Sequence, residues 1–467
     1  MNKILITFVF ILFSLPIYST IRNVPGSYST IQAAINASVN GDTVLVEQGT
    51  YMENINFRGK KIVVTSRYYI SNNPAIIENT VINGSTPVQP DSASCVIISS
   101  GEDTTTVLQG FTLIGGKGTK WQDEHGAGRY TEGGGILIAY SSPIIQNNII
   151  KFNEAVITGS GVTSAGGGGI RLGDGNPRIL NNVIMFNKGL YGAGIVVNYS
   201  GVIIKNNLIY GNFGSTSYGS GAGIWINNNL GAAPKIIENN TIANNSASAG
   251  TGGVNMFSGT NNVILRNNII WGNIPSAQIL GGSPSVVYCD VQGGYSGAGN
   301  MDVNPMFADT NYILSANSPC VDKGDSSTVY NDRADSLNPT LARYPSRGTI
   351  RNDMGAYGGP KAGIFSYSLI GVKPNQKEIP STYKLNQNYP NPFNPSTVIT
   401  YNLPKAANVK ITVFDVTGKE ITRLVDSYIQ AGEHEIVFNA NNYASGIYFY
   451  RLESLEFSDI KKMLLIK

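Results

Sequence analysis

The sequence predicts an all-β protein: a right-handed parallel β-helix, that is, a single-stranded solenoid, followed by a small immunoglobulin-like β-sandwich. Three observations predict it. An asparagine pair recurs five times, at Asn147-Asn148, Asn181-Asn182, Asn206-Asn207, Asn239-Asn240 and Asn267-Asn268. Six positions after the first Asn of each pair stands another: Asn153, Asn187, Asn212, Asn245 and Asn273. Aliphatic residues keep the same phase, with Ile145, Ile179, Ile204, Ile237 and Leu265 before the pairs and Ile150, Ile184, Ile209, Ile242 and Ile270 after them. A second register, Gly-Gly-Ile or a near variant, begins eleven to fifteen residues upstream and places Ile136, Ile170, Ile195, Ile224 and Val254. Such internal self-similarity marks a stacked repeat.

Each repeat is built of short bursts such as residues 143–146 and 201–205, bounded by Asn and Gly. Bursts of that length, rich in β-branched side chains, read as strands rather than helices. Asn tolerates the left-handed backbone that a sharp corner requires. Stacked coils bring equivalent asparagines to about 4.8 Å, so their amides can bond from coil to coil as a ladder. The glycine load, 54 residues in 467, opposes the rival helical repeats.

The elements follow in order. Residues 1–20, a basic start and an apolar run, read as a secretory signal peptide. The run is short for a membrane span, and no other segment is long and apolar enough to cross. Residues 21–325 form the solenoid. Residues 28–35 are amphipathic and would cap its first coil, whose edge would otherwise meet water. Strands are expected at 42–46 and 61–65 around a turn at 47–51, and again at 286–291. Residues 326–372 close the far end, 373–384 form a linker, and 385–467 alternate in short strands as a small sandwich.

Ile31-Gln32-Ala33-Ala34-Ile35, Gly41-Asp42-Thr43-Val44 and Gly49-Thr50-Tyr51 with Glu53-Asn54 resemble the opening of pectin-lyase-like parallel β-helix proteins. That resemblance covers roughly residues 21–360 and implies the fold, not an activity, because the superfamily holds lyases, hydrolases, esterases and non-catalytic surface proteins. Tyr389-Pro390-Asn391-Pro392-Phe393-Asn394-Pro395, the Gly446-Ile447-Tyr448 strand and the basic tail 461–467 resemble the type A sorting domain of the type IX secretion system. This implies export by that machinery through residues 385–467, to the surface or surroundings of a Gram-negative bacterium.

Charge excludes some partners. With 33 basic and 30 acidic side chains the net charge is +3, which gives no footprint for nucleic acid. Of the three cysteines, Cys289 and Cys320 lie one coil apart, and either a disulfide or stacked free thiols would fit.

Chemistry concentrates where the repeat breaks. Residues 121–132 hold Asp123, Glu124, Glu132, His125, Arg129, Trp121 and Tyr130. Loops that leave a solenoid carry its function more often than its coils do. Two carboxylates there could act as acid and base on a glycosidic bond, or the aromatics could stack on sugar faces. A neighbouring group, Arg171 and Arg178 with Asp174 between them, would share a groove with Lys188 and Tyr191, and Trp225 and Trp271 could add stacking surfaces. The candidate catalytic set is therefore Asp123, Glu124, His125, Arg129, Glu132, Arg171 and Asp174, with Trp121, Tyr130, Lys188 and Tyr191 as substrate contacts. Calcium is the one cofactor to weigh, at Asp322, Asp325, Asp332 and Asp335, but their spacing fits no loop motif, and ion pairs with Arg333 and Arg351 explain them as well. No complete carbohydrate-enzyme signature is present: the only histidines are His125 and His434, and residues 133–290 carry just four carboxylates, Glu154, Asp174, Glu238 and Asp290. The expectation is an exported protein that engages extracellular polysaccharide. A polysaccharide lyase or glycoside hydrolase is the first alternative, and an adhesive or structural stalk the second.

Overall fold

The computed structural model describes residues 19–157, 161–214, 221–227, 233–258, 262–363, 382–405, 407–429, 432–454 and 457–466. Most of the expected signal peptide, and of the linker at 373–384, lies outside them. The chain falls into two compact units, residues 1–372 and 373–467.

In the first unit, three parallel sheets run along a tube. Among the described residues the first sheet has ten strands, from Ile21–Val24 to Ser285–Val287. The second has nine, from Gly49–Tyr51 to Asp290–Val291, and the third eight, from Ile55–Asn56 to Ile279–Leu280. The register follows the repeat. Ile145, Ile179, Ile204, Ile237 and Leu265 pair in sequence, as do Ile150, Ile184, Ile209, Ile242 and Ile270. Ile136, Ile170, Ile195, Ile224 and Val254 form the third column. All are buried in one continuous core, at about 1.5–3 kcal/mol for each side chain removed from water.

The asparagines divide their labour. The first of each pair takes the left-handed corner, with φ of 54° at Asn147, 52° at Asn181, 56° at Asn206, 51° at Asn239 and 56° at Asn267. The second makes a buried ladder, Asn148 to Asn182 to Asn207 to Asn240 to Asn268, with amide bonds of 3.0–3.1 Å. Asn153, Asn187, Asn212, Asn245 and Asn273 make another at 2.9–3.1 Å. Each amide oxygen also accepts the backbone N–H of the preceding Asn. The ladders end on substitutes: Asn268 Nδ2 reaches Cys289 Sγ at 3.7 Å, and Asn273 Nδ2 reaches Gln278 Oε1 at 2.7 Å. All three cysteines are free, so no disulfide joins Cys289 to Cys320; the Cys320 thiol instead donates to Asp290 Oδ2 at 3.2 Å.

The amphipathic stretch is the helix Ile31–Ala37, with Thr30 as N-cap and Ile31, Ala34 and Ile35 buried. Glu53 accepts the N–H groups of Ile31 and Gln32 at 2.9 Å, which explains why an acid follows Gly-Thr-Tyr in the opening segment. Two local expectations are corrected. Residues 49–51 form a strand of the second sheet rather than part of a turn, and residues 286–291 are two strands parted by Tyr288 at φ 53°.

The closing segment also departs from expectation. Residues 325–363 run back along the flank instead of only sealing the end. Asp325 N donates to Asn267 Oδ1 at 2.8 Å, Asn239 Nδ2 to Asp353 O at 3.0 Å, Asn206 Nδ2 to Ala356 O at 3.0 Å, and Gly363 N to Asn181 Oδ1 at 2.9 Å. The corner asparagines keep amides outside the two buried ladders, and the returning chain bonds those of Asn181, Asn206, Asn239 and Asn267.

The second unit pairs Lys384–Leu385, Ser396–Leu403 and Gly432–Asn439 in one antiparallel sheet. Glu420–Ile429, Ala407–Phe414, Gly446–Ser454 and Phe457–Leu465 form the other. Strict alternation along Ser396–Leu403 buries every second residue. The basic tail is itself an edge strand, with Met463 and Leu465 in the core. Among the described residues of the chain, no helix is long and apolar enough to cross a membrane.

Candidate functional site

The insertion folds as a β-hairpin, Gly118–Gln122 against Arg129–Glu132, with Trp121 opposite Tyr130. It is extended on its sides by Ser92–Ala93 and Ser164–Gly166. The hairpin lies over the outer face of the third sheet. There the residues alternating with the core column point outward: Leu137, Arg171, Val196, Trp225 and Asn255 are in register.

Arg171 is thereby sealed completely. Its guanidinium forks onto both oxygens of Glu124, and its Nε lies 2.6 Å from Glu132 Oε2. Trp121 Nε1 donates to Glu124 Oε1 at 2.9 Å, and Tyr191 OH to Glu132 Oε1 at 3.2 Å. Two glycines make the room: a methyl at Gly173 would sit 2.1 Å from Arg171 Nη1, and one at Gly166 2.3 Å from the Tyr191 ring. Burial pushes the Glu132 carboxyl up to about 7; Arg171 draws it back and Glu124 pushes it up again. Burial raises Tyr191 well above its ordinary value, with the Glu132 charge adding to it. For Arg171 burial acts downward, but Glu132 and Glu124 outweigh it and hold the guanidinium charged.

Beside this knot opens a groove of about 560 Å³, lined by Asp123, Tyr130, Glu132, Tyr191, Asn198, Tyr199, Trp225, Asn227 and Phe257 together with Ala127, Thr163 and Ser164. Tyr191, Trp225 and Phe257 stand in a row with ring centroids 4.7 and 5.2 Å apart. Asp123 Oδ1 accepts the N–H groups of His125 and Ala127 at 2.9 and 3.2 Å, and its Oδ2 accepts Asn198 Nδ2 at 2.9 Å. Asn198 Oδ1 in turn accepts Asn227 Nδ2 at 2.9 Å. The carboxylate thus orients both amides. Tyr199, at φ 50°, holds a left-handed conformation that is costly for a bulky residue, and its ring packs against His125 with centroids 3.9 Å apart and planes tilted by 35°.

The sequence candidates separate into groups. Asp123, Tyr130, Glu132 and Tyr191 line the groove. Trp121, Glu124 and Arg171 form its buried support. His125 bonds Asp174 Oδ1 through Nε2 at 3.0 Å at the outer lip. Three basic residues fall outside it. Arg129 is exposed at the hairpin's distal end. Lys188 belongs to a separate small sheet and pairs with Glu154 at 3.2 Å. Arg178 begins a strand of the first sheet and is exposed, so it shares no groove with Arg171. Trp271 packs into a cluster with Leu314, Cys320 and Met354. Sequence reading missed Asn198, Tyr199, Asn227 and Phe257; the signal that could have found them is the coil register, in which Asn198 and Asn227 stand where earlier coils have Ala139 and Gly173.

The acidic residues near the end serve the backbone. Asp332 accepts the N–H groups of Asp353 and Gly359, Asp322 that of Thr349, and Asp335 those of Leu337 and Asn338. Asp325 pairs with Arg266, while Arg351 donates to the Gly324 carbonyl rather than to an acid. Among the described residues no three His, Cys, Asp or Glu side chains are grouped to hold a metal ion.

Residues 387–467 match the secretion system C-terminal sorting domain, here of the type IX system, which directs the chain to the cell surface or extracellular space of a Gram-negative bacterium. No curated protein matches the chain. Among solved structures it is similar to PorZ, a bacterial surface component of the type IX secretion system of Porphyromonas gingivalis, at 16% identity and a TM-score of 0.14, over 26% of this chain and 14% of that one. It is also similar to the PL6 family alginate lyase AlyGC, at 12% identity and a TM-score of 0.19, over 64% of this chain and 56% of that one. The chain thus spans less than two thirds of either protein, and neither likeness bears on activity. Residues 18–291 match the right-handed β-helix region over more than half of the sequence, and the chain belongs to that family.

Proposed function

We propose that this exported β-helix protein binds extracellular polysaccharide in the groove between the hairpin and the third sheet. The row Tyr191, Trp225 and Phe257 carries the reading. Its rings recur at the coil spacing: Tyr191 and Trp225 are buried and back Phe257, whose half-exposed ring offers the stacking face for a sugar. Carboxylate and amide oxygens beside the rings supply acceptors for sugar hydroxyls. Affinity electrophoresis of the full chain in gels of soluble polysaccharides tests it. Retardation by at least one glycan is expected, weakened about tenfold or more by Trp225→Ala. Equal retardation of wild type, Trp225→Ala and Phe257→Ala would place the site elsewhere.

A second reading, hydrolysis in the same groove, has one observation in its favour. Glu132 lines the groove with its carboxyl raised to about 7, suited to a general acid. New reducing ends, with a rate that falls as pH rises through about 7 and vanishes in Glu132→Gln, would support it. Their absence from every glycan that binds would leave binding alone.

A further inference from the structure

Resting on that reading, we infer that the groove selects uncharged glycans and rejects polyuronates. The placement of cations carries this. Among the described residues, those lining the groove include no lysine or arginine. Arg171, behind Glu132, is fully buried and forked onto Glu124, so one cation faces two acids, and Arg129 is exposed at the hairpin's distal end. Lys188 and Lys117 are held on Glu154. Segments 158–160, 215–220, 228–232 and 259–261 contain no basic residue in their sequence. The charged side chains on the groove wall are Asp123 and Glu132, both acidic.

A uronate carboxylate entering such a groove loses its water and gains no counter-ion, and it meets like charge as well. Abstraction of the proton beside that carboxyl is equally unsupported, since no free base-and-cation pair faces the groove. A neutral sugar makes the opposite demands. Its hydroxyls donate to Asp123 and to the Asn227 amide oxygen, which the chain from Asp123 through Asn198 leaves turned away from its own donor. Its apolar face covers the exposed Phe257 ring.

Calorimetry of the full chain tests this with two sets of probes, neutral oligosaccharides (cello-, xylo- and manno-) and acidic ones (oligogalacturonate and oligoalginate). A neutral series should bind with affinity unchanged within about twofold between low and high salt, while the acidic series binds at least about tenfold more weakly. Phe257→Ala, which removes the exposed ring of the row, should weaken neutral binding by up to about tenfold. Asp123→Asn should narrow the gap between the two series. Preference for uronates, or neutral binding that collapses with salt, overturns the selectivity while glycan binding stands. Silence on every probe by a folded chain overturns both.

Discussion

The two asparagine ladders and the Arg171 knot are both buried polar networks, and they solve the same problem in opposite ways. In the ladders each neutral amide accepts from the coil before and donates to the coil after, so every coil adds one more satisfied link. The knot occurs once, joins a hairpin to a sheet, and holds one guanidinium between two carboxylates. A ladder costs little to extend because nothing charged leaves water. A knot stands or falls as a unit, because removing one member strands charge in a dry place. Repetition builds the tube; a single charged fastening fixes where its hairpin lies.

The comparison can be broken by denaturation. Trp121, Trp225 and Trp271, the chain's three tryptophans, all lie in the first unit, so their fluorescence reports on the solenoid unit alone. The largest effect is expected for Arg171→Ala, about 3–5 kcal/mol of stability. The triple variant Arg171→Met, Glu124→Gln, Glu132→Gln should recover much of it, and no recovery would mean packing rather than charge dominates. Next comes Asn207→Ala in mid-ladder, at about 1–3 kcal/mol, because it leaves buried amides on both neighbouring coils without partners.

The pH response should sharpen the contrast. Glu132 is raised from 4.5 to about 7 in the folded protein, so its contribution is fully present below about 4.5 and lost as pH rises through about 7. Glu132→Gln, which mimics the protonated acid, should therefore match wild type near pH 4.5 and become the more stable of the two above about 7. Asn207→Ala should cost the same at both ends of that range. The smallest effect belongs to the corner column. Asn147→Gly should change stability by less than about 0.5 kcal/mol, whereas Asn147→Ala costs about 1 kcal/mol, because alanine lacks the short polar side chain that lets Asn tolerate the left-handed region.

How much of this was legible in the sequence follows from the same contrast. Ladders and core columns repeat, so Asn148 and Ile145 announce themselves through their equivalents in later coils. Sequence spacing even foretold the left-handed corner, though not which asparagine of each pair takes it. The site was legible only as a composition break at 121–132. Arg171 alternates with the inward Ile170 and Leu172 and so reads as a solvent-facing residue. Only the hairpin, folded over that face from forty residues upstream, turns it into the most deeply buried charge of the site. Tyr199 and Phe257 lie in different coils, and only three-dimensional register brings them to one groove.

The flank segment 325–363 changes how such a tube can come apart. A stack whose members touch only their neighbours peels from whichever terminus is weaker, one layer at a time. Here a single returning stretch is stitched to Asn267, Asn239, Asn206 and Asn181, in four successive layers. The last layer cannot lift without first undoing that seam, so the distal half of the prism should melt together rather than fray.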